Sequence, residues 1–193
     1  MPSTSSTAQA QSEVAMNYEL GYRLSKRRQN QIQAVVFRSA YSNLLGSDNI
    51  SGGGLGTGEL FNAGKALVQG LELSANYLFA LKKFKNLSLP LQMSYTYTYA
   101  TFSETFINGG GDWGSGEITR GDNIPFITPH LLSGSVGLEH KKWSALFSSN
   151  YVGDTRTSPG QNDLVFATSN QNATLVNCIE AFTIMDFSFN FHF

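Results

Sequence analysis

The sequence is poor in cysteine, in charge and in long apolar runs. Cys178 is the only cysteine among 193 residues, so the chain has no internal disulfide and no zinc or iron–sulfur site built from its own cysteines. Charged residues make up 14%, against roughly 25% in a typical soluble domain. The formal net charge of -1 leaves no polycationic surface, which excludes nucleic acid as a partner.

Two further absences concern membranes and targeting. No apolar run approaches the ~18 residues that a membrane-spanning helix needs, which excludes a helical membrane protein. The segment Met1–Ser12 lacks the basic start and the apolar middle of a secretory signal peptide. We therefore expect residues 1–12 to be a disordered tail or the scar of a longer chain, and residues 13–193 to carry the domain.

What the sequence does contain is a period of two. From Leu87 to Ala100, large apolar or aromatic residues at odd positions alternate with polar or small residues, and the same pattern runs from Met185 to Phe193. Such alternation indicates strands with one apolar face. We predict seven strands and no helix, with the strands at Asn17–Ser25, Ile32–Leu45, Leu71–Leu81, Leu87–Ala100, Leu131–His140, Trp143–Val152 and Met185–Phe193.

The connections between these strands alternate in length. Lys26–Asn30, Lys82–Asn86 and Lys141–Lys142 are short, whereas Gly46–Lys65, Ser103–Pro129 and Gly153–Ala181 are long and rich in Gly, Asn, Asp, Ser and Thr. In an antiparallel meander this places every short turn at one end of the sheet. Outer-membrane barrels show this asymmetry, with short periplasmic turns and long extracellular loops.

The sequence also assigns the two faces of the strands. Aromatic residues mark both ends, as in the girdles at membrane interfaces; they are Tyr95, Tyr97, Tyr99, Phe102, Tyr41 and Tyr151 at one end, and Tyr77, Phe79, Phe84 and Trp143 at the other. We predict a lipid-facing set of Leu89, Leu91, Met93, Tyr95, Tyr97, Phe187, Phe189 and Phe191. Charge is costly against hydrocarbon, so we predict a lumen-facing set of Glu19, Arg23, Glu72, Glu139 and Asp186.

The predicted fold class is therefore all-β, an antiparallel up-and-down transmembrane barrel segment of about seven strands. Bacterial single-chain barrels have an even strand count and cannot leave an open edge in lipid. Either Leu164-Val165-Phe166 supplies an eighth strand, or the chain is part of a larger barrel. A small self-closed barrel acting as an adhesin or scaffold, and a soluble lectin-like β-sandwich, remain as alternatives.

Several segments in order resemble the TonB-dependent outer-membrane receptors, and among them the ferric-dicitrate-receptor-like group. The matching stretches are Asn17–Arg23, Tyr41–Gly46, Phe61–Gly64, Gly70–Leu73, Tyr95–Phe102, Ile124–Phe126, Pro129-His130, Asn150–Gly153 and Met185–Ser188. Their order is similar to the late strands of that barrel. The resemblance implies a bacterial outer-membrane location, and, as partners of the intact receptor, membrane lipid, a plug domain, TonB acting on the plug's energy-coupling box, and an iron–chelate ligand.

Candidate chemistry is sparse. His130, His140 and His192 have no partner at metal-ligand spacing, and the glycine-rich run Gly52–Gly58 has no correctly spaced lysine, so we predict no metal site, no phosphate cradle and no cofactor. No nucleophile–base pair is present, which disfavours an enzyme. Arg120 and Arg156, with Asp122, are the possible ligand contacts in the loops, because guanidinium pairs bidentately with the carboxylates of an anionic chelate.

Overall fold

The computed structural model describes residues 12–26, 30–47, 60–62, 64–81, 83–84, 86–109, 115–160, 165–169 and 172–191. These ranges hold fifteen strands and no helix, and thus no helix long and apolar enough to cross a membrane. The first eight strands are β1 (Val14–Lys26), β2 (Asn30–Ser42), β3 (Leu45–Ser47), β4 (Leu60–Asn62), β5 (Ala66–Ala80), β6 (Leu87–Phe102), β7 (Phe106–Gly109) and β8 (Ser115–Ile118). The others are β9 (His130–His140), β10 (Trp143–Val152), β11 (Thr155–Arg156), β12 (Val165–Ser169), β13 (Asn172–Val176), β14 (Cys178–Ile179) and β15 (Phe182–Phe191).

Seven of these strands form one antiparallel sheet in the order β1-β2-β5-β6-β9-β10-β15. They correspond one to one to the seven predicted strands, which confirms the up-and-down meander. Their lengths of 10 to 16 residues suit a bilayer crossing of about 9–11 tilted residues better than the 5–6 usual in soluble sheets. The second strand ends at Ser42 rather than Leu45, because Asn43 takes a φ of 55° and turns the chain into β3.

The register aligns apolar residues of neighbouring strands in rows across the sheet. For example, Tyr77 of β5 pairs with Leu91, which pairs with Val136, then Phe147 and then Phe187. Because side chains alternate along each strand, these residues share one face, which we call the apolar face. All eight residues predicted to face lipid lie on it.

The opposite face, here the polar face, is formed by the intervening residues. Asn76, Gln92, Ser135, Ser148 and Asp186 lie on one continuous row of paired positions. The five charged residues predicted to face the lumen all belong to this face. Apart from Lys26 and Arg38, the sheet therefore keeps its charged residues on the polar face, as the alternation predicts.

No second layer of the described chain covers the apolar face. Leu20 is 73% exposed and Phe187 is 71% exposed, and the buried apolar side chains of the described residues are Val35, Ala66, Ala100, Phe102, Ile118 and Pro125. A soluble β-sandwich would bury such rows against a second sheet. The described residues thus lack the feature on which the sandwich alternative depends.

The sheet is open, because β1 and β15 are its two edges and do not pair with each other. The candidate eighth strand does not close it. Val165–Ser169 pairs with Asn172–Val176 in a separate hairpin, while Leu164 lies outside the described residues. The predicted tail, apart from Ser12, also lies outside them. An open seven-stranded sheet fits part of a larger barrel.

The aromatic residues predicted to mark the strand ends lie on the apolar face except for Tyr41, Phe102 and Phe84, and Phe84 lies in the turn between β5 and β6. At the short-turn end, the rings of Trp143 and Phe189 are stacked, with their centroids 6.0 Å apart. Tyr151 shares a row with Tyr95, as predicted. The prediction is wrong for Tyr41 and Phe102, whose register positions are on the polar face. The side chain of Phe102, only 1% exposed, packs edge-on against Phe106 at 5.4 Å and belongs to the loop core instead.

A proline in a central strand is accommodated by a glycine on its neighbour. Pro90 of β6 lacks an N–H, and the ladder to β9 is interrupted there between the Ser88–Glu139 and Leu91–Val136 pairs. A Cβ on Gly137, which is buried, would lie 2.9 Å from Cγ of Pro90. The absent side chain gives the proline ring its space.

Candidate functional site

Two of the long loops meet at the Phe102 end of β6, where the predicted ligand contacts lie. After Phe102 the chain turns back, and residues 121–124 run antiparallel to the strand they have left. Gly121 N donates to Phe102 O at 2.8 Å, Phe102 N to Asp122 O at 2.9 Å, and Ile124 N to Ala100 O at 3.1 Å. These bonds satisfy the edge of β6 beyond the end of β9. The loop is therefore an extension of the sheet.

A tight turn at Thr119-Arg120-Gly121-Asp122 fixes this extension. Asp122 N donates to Thr119 O at 3.0 Å, and Gly121 has a φ of 97°, the conformation that glycine supplies at the third position of a type II turn. The Asp122 carboxylate accepts from Thr119 N at 2.8 Å and from Thr119 Oγ1 at 2.9 Å. Asp122 is buried. Both oxygens of its carboxylate therefore hold the turn together. Arg120 is the second residue of this turn, so Asp122 helps to fix the position of Arg120.

Replacing this carboxylate should loosen the turn. We expect Asp122→Asn to raise the hydrogen-exchange rate of the Thr119 amide about tenfold, because a charged acceptor is replaced by a weaker neutral one. The matched control is Glu117→Gln, which removes the same charge from an exposed side chain two residues before Thr119. Hydrogen exchange read by mass spectrometry on peptides covering residues 115–124 measures both. Equal protection in the two variants would contradict the assignment.

The same extension is tied to the connection that follows β10. Asn123 donates to Gly160 O through its backbone N at 3.1 Å and through Nδ2 at 3.0 Å. Thr128 and Thr155 share a hydrogen bond between their hydroxyls at 2.6 Å. We call residues 119–130 and 153–160 the loop platform. It joins two long loops that the sequence shows only as separate segments.

Arg156 and Arg120 are both in the loop platform. Arg156 pairs with Cys178 in a short ladder and accepts a hydrogen bond from Phe126 N through its carbonyl at 2.7 Å. It lines a cavity of about 200 Å³ together with Asp154, Tyr97 and His130. Arg120 is exposed, and its backbone N donates to Thr105 Oγ1 at 3.0 Å. The platform thus places two guanidinium-bearing residues at the long-loop end of the sheet.

Phe126 shows that the platform holds an unusual backbone. Its φ is 61°, a region that residues other than glycine rarely adopt, while its side chain is 63% exposed. The preceding Pro125 is buried. The hydrogen bond to the Arg156 carbonyl holds this conformation across two loops.

The polar face carries a second concave region. A groove of about 300 Å³ crosses β5, β6, β9 and β10 and is lined mainly by Ser, Asn and Gln side chains. Ser94 and Ser133 are joined across β6 and β9 by a 2.6 Å hydrogen bond between their hydroxyls. Among the described residues no cluster of three or more His, Cys, Asp and Glu side chains could hold a metal ion. The groove can offer neutral hydrogen bonds to a polar protein surface.

Sequence reasoning missed Arg38. It pairs with Tyr18 of β1 and with Gln69 of β5, both on the apolar face, and its side chain is exposed. The segment around it alternates poorly, because Val35 and Phe37 are apolar residues on the polar face. The sequence offers one signal for its position. The alternation of β1 is clear, and continuing it through the short turn into β2 puts Arg38 on the apolar face.

The fold is found in a known structure. A mutant of the ferric enterobactin receptor from Pseudomonas aeruginosa is similar with a TM-score of 0.51 and 17% sequence identity, over 93% of this chain and 24% of that one. The chain thus spans about a quarter of that receptor. No curated protein matches the sequence. The family model described as TonB dependent receptor-like, beta-barrel matches residues 2–193, and the chain therefore belongs to the TonB-dependent receptor-like β-barrel family.

Proposed function

We propose that this chain forms part of the barrel wall of an outer-membrane receptor that takes up an iron chelate. The apolar face meets membrane lipid, the polar face meets the plug, and the long loops bind the cargo on the outer side. Release into the periplasm depends on TonB acting on the plug. The family is one of receptors and transporters rather than enzymes, and it implies an outer-membrane location.

The observation that carries this proposal is the division of the sheet into two chemically distinct faces. Rows such as Tyr77, Leu91, Val136, Phe147 and Phe187 cross five strands with no protein layer over them. Leaving such surface in water is unfavourable by about 25 cal/mol per Å². In a bilayer the same rows face hydrocarbon, and each inner strand pairs with a neighbour on both sides, with one interruption at Pro90.

The proposed cargo is an anionic iron chelate, of the siderophore or ferric-citrate-like class. Support comes from Arg120 and Arg156, which the loop platform places at the end of the sheet where the long loops meet. Guanidinium groups bind carboxylates and other anionic oxygens through charge-assisted hydrogen bonds. Asp122, once a third candidate, acts by holding the turn that presents Arg120.

Charge removal in the intact receptor tests the cargo class. We expect Arg120→Gln and Arg156→Gln each to weaken the binding of ferric dicitrate or ferric enterobactin about 10–100-fold, the effect of losing one charge-assisted contact. Isothermal titration with each chelate on the detergent-solubilised receptor gives the Kd. The two chelates are compared because the citrate-like class is the narrower proposal.

The matched control is Lys83→Gln, which removes the same charge at the short-turn end of the sheet, where Lys83 is exposed. Its Kd should equal that of the unmodified receptor. Equal losses at all three positions would point to a general field effect of net charge. Unchanged affinity in both arginine variants would refute the chelate contacts.

A further inference from the structure

The charged residues of the seven-stranded sheet are divided unevenly between its faces. Glu19, Arg23, Glu72, Glu139 and Asp186 are on the polar face, and only Lys26 and Arg38 are on the apolar face. Lys26 is the last residue of β1 and lies at the turn. Arg38 lies within β2. It is therefore the single charge inside the apolar surface of the described sheet.

The neighbours of Arg38 form a row of polar-tipped side chains. Register pairs Tyr18 with Arg38, Arg38 with Gln69, and Gln69 with Tyr99, so the row crosses four adjacent strands on the apolar face. Strands lie about 4.8 Å apart, which makes the row about 14 Å wide. Tyr18 is 61% and Tyr99 is 41% exposed. Two phenol hydroxyls and one amide thus accompany the guanidinium on the same surface, and the Tyr18 hydroxyl donates to Met16 Sδ at 2.8 Å.

Arg38 has no partner of opposite charge in the part of the chain that the structure describes. The ion pair found there joins Lys65 to Glu104 at 3.6 Å, and every charged side chain of the neighbouring strand β5 is on the other face. An exposed cation on a hydrocarbon-facing surface is costly unless an anion or water reaches it. The face itself supplies no carboxylate.

Arg38 lies in the half of β2 that is nearer to the long loops. It is four residues before Ser42, where β2 ends at the long-loop end. At about 3.3 Å per residue this is about 13 Å along a tilted strand. A long arginine side chain on apolar surface can extend toward the interface, which would bring its guanidinium to polar lipid groups on the side of the long loops.

We propose that Arg38, flanked by Tyr18, Gln69 and Tyr99, binds the phosphate group of a lipid in the outer leaflet. Guanidinium binds phosphate bidentately, and phenol and amide groups donate further hydrogen bonds to its oxygens. The apolar residues next along the strands, Val36 and Leu71, contact the acyl chains of the same lipid. The inference rests on the proposed function in one respect, that the apolar face meets lipid.

Lipid binding to the intact detergent-solubilised protein tests this site. Native mass spectrometry with short-chain phosphatidic acid, and with phosphatidylcholine of the same acyl chains, measures the preference for an exposed phosphate. We expect the unmodified protein to bind phosphatidic acid about tenfold more tightly. Arg38→Gln should remove the preference. Arg23→Gln, which takes the same charge from the polar face of the adjacent strand, should keep it.

Three results would overturn the site. They are an unchanged preference in Arg38→Gln, an equal loss in Arg38→Gln and Arg23→Gln, and full displacement of phosphatidic acid by an equal concentration of inorganic phosphate. The last would show a site for a free anion. Inorganic phosphate that fails to displace the lipid supports a lipid site.

A separate measurement distinguishes failure of the site from failure of the orientation. Trp143 is on the apolar face, so lipids with brominated chains should quench its fluorescence in the reconstituted protein, and Trp143→Phe should remove that quenched component. No quenched component would mean that the apolar face does not meet lipid, which refutes the proposed function as well. Quenching without phosphate preference refutes only the Arg38 site.

Discussion

Met93→Arg is expected to destabilise the membrane-inserted protein by about 2–4 kcal/mol, the cost of arginine near the bilayer midplane on the lipid face of a barrel. Met93 is on the apolar face near the middle of β6, with its side chain 51% exposed. Its paired neighbours are Ala75 and Gly134, so no carboxylate can compensate the new charge. Guanidinium titration of the intact protein in phosphatidylcholine vesicles measures the change in the free energy of unfolding.

The adjacent residue provides a closely matched control. Gln92 is similar to methionine in size, is exposed, and lies on the polar face between Asn76 and Ser135. Gln92→Arg places the same charge one residue away on the opposite side of the strand, where we expect a cost below about 1 kcal/mol. If the two variants lost equal stability, the assignment of lipid and lumen to the two faces would be wrong.

Gly70→Ala is the second substitution expected to have a large effect. Gly70 pairs with Phe37 and Thr98, and a Cβ there would collide with the carbonyl oxygen of Tyr97 and lie 2.7 Å from Cζ of Phe37. A backbone oxygen in a paired strand cannot move without breaking the ladder between β5 and β6. We expect a loss of about 3 kcal/mol, the upper part of the range for overpacking.

The control for this prediction is Gly134→Ala in β9. A Cβ on Gly134 would meet only Gln92 O, at 3.7 Å, which is ordinary contact. Alanine also restricts the unfolded chain, so we expect a change between zero and a gain of about 1 kcal/mol. Chemical unfolding of both variants in the same vesicles provides the comparison. If Gly70→Ala were as stable as the unmodified protein, the close approach of β5 and β6 at Gly70 would not be required for the stability of the sheet.

The positions of the strands and the two faces of each strand could be predicted from the sequence, because both depend on the local alternation of residues. Alternation from Leu87 to Tyr99 and from Met185 to Phe191 gave the residues of the apolar face correctly, and the contrast of short and long connections gave the meander. Where alternation is weak the prediction lost accuracy. Val35 and Phe37 are apolar residues on the polar face, and Arg38 is a charged residue on the apolar face. Because of this reversal, the sequence predicted neither the end of β2 nor the charge on the apolar face.

The candidate site was less accessible to sequence reasoning. Arg120, Asp122 and Arg156 were recognised as loop residues of suitable chemistry, but their roles differ once the loop platform is known. The carboxylate of Asp122 accepts hydrogen bonds from the backbone and the hydroxyl of Thr119, three residues earlier. The sequence Thr119-Arg120-Gly121-Asp122, with glycine at its third position, is typical of a type II turn and could have been recognised. The tie between Phe126 and Arg156 had no such signal, because a backbone hydrogen bond between distant loops leaves no trace in residue type.

The amino-acid sequence by itself determined the all-β class, the order of the strands and which residues share a face, because a period of two needs no knowledge of distant contacts. Tertiary structure decided which faces stay uncovered, how the strand edges are paired and which loops meet. Those features depend on register and on hydrogen bonds between remote segments. Thus Phe102 is a loop-core residue instead of a girdle residue, and Arg38 is a charge on the apolar face, only because their neighbouring strands place them so.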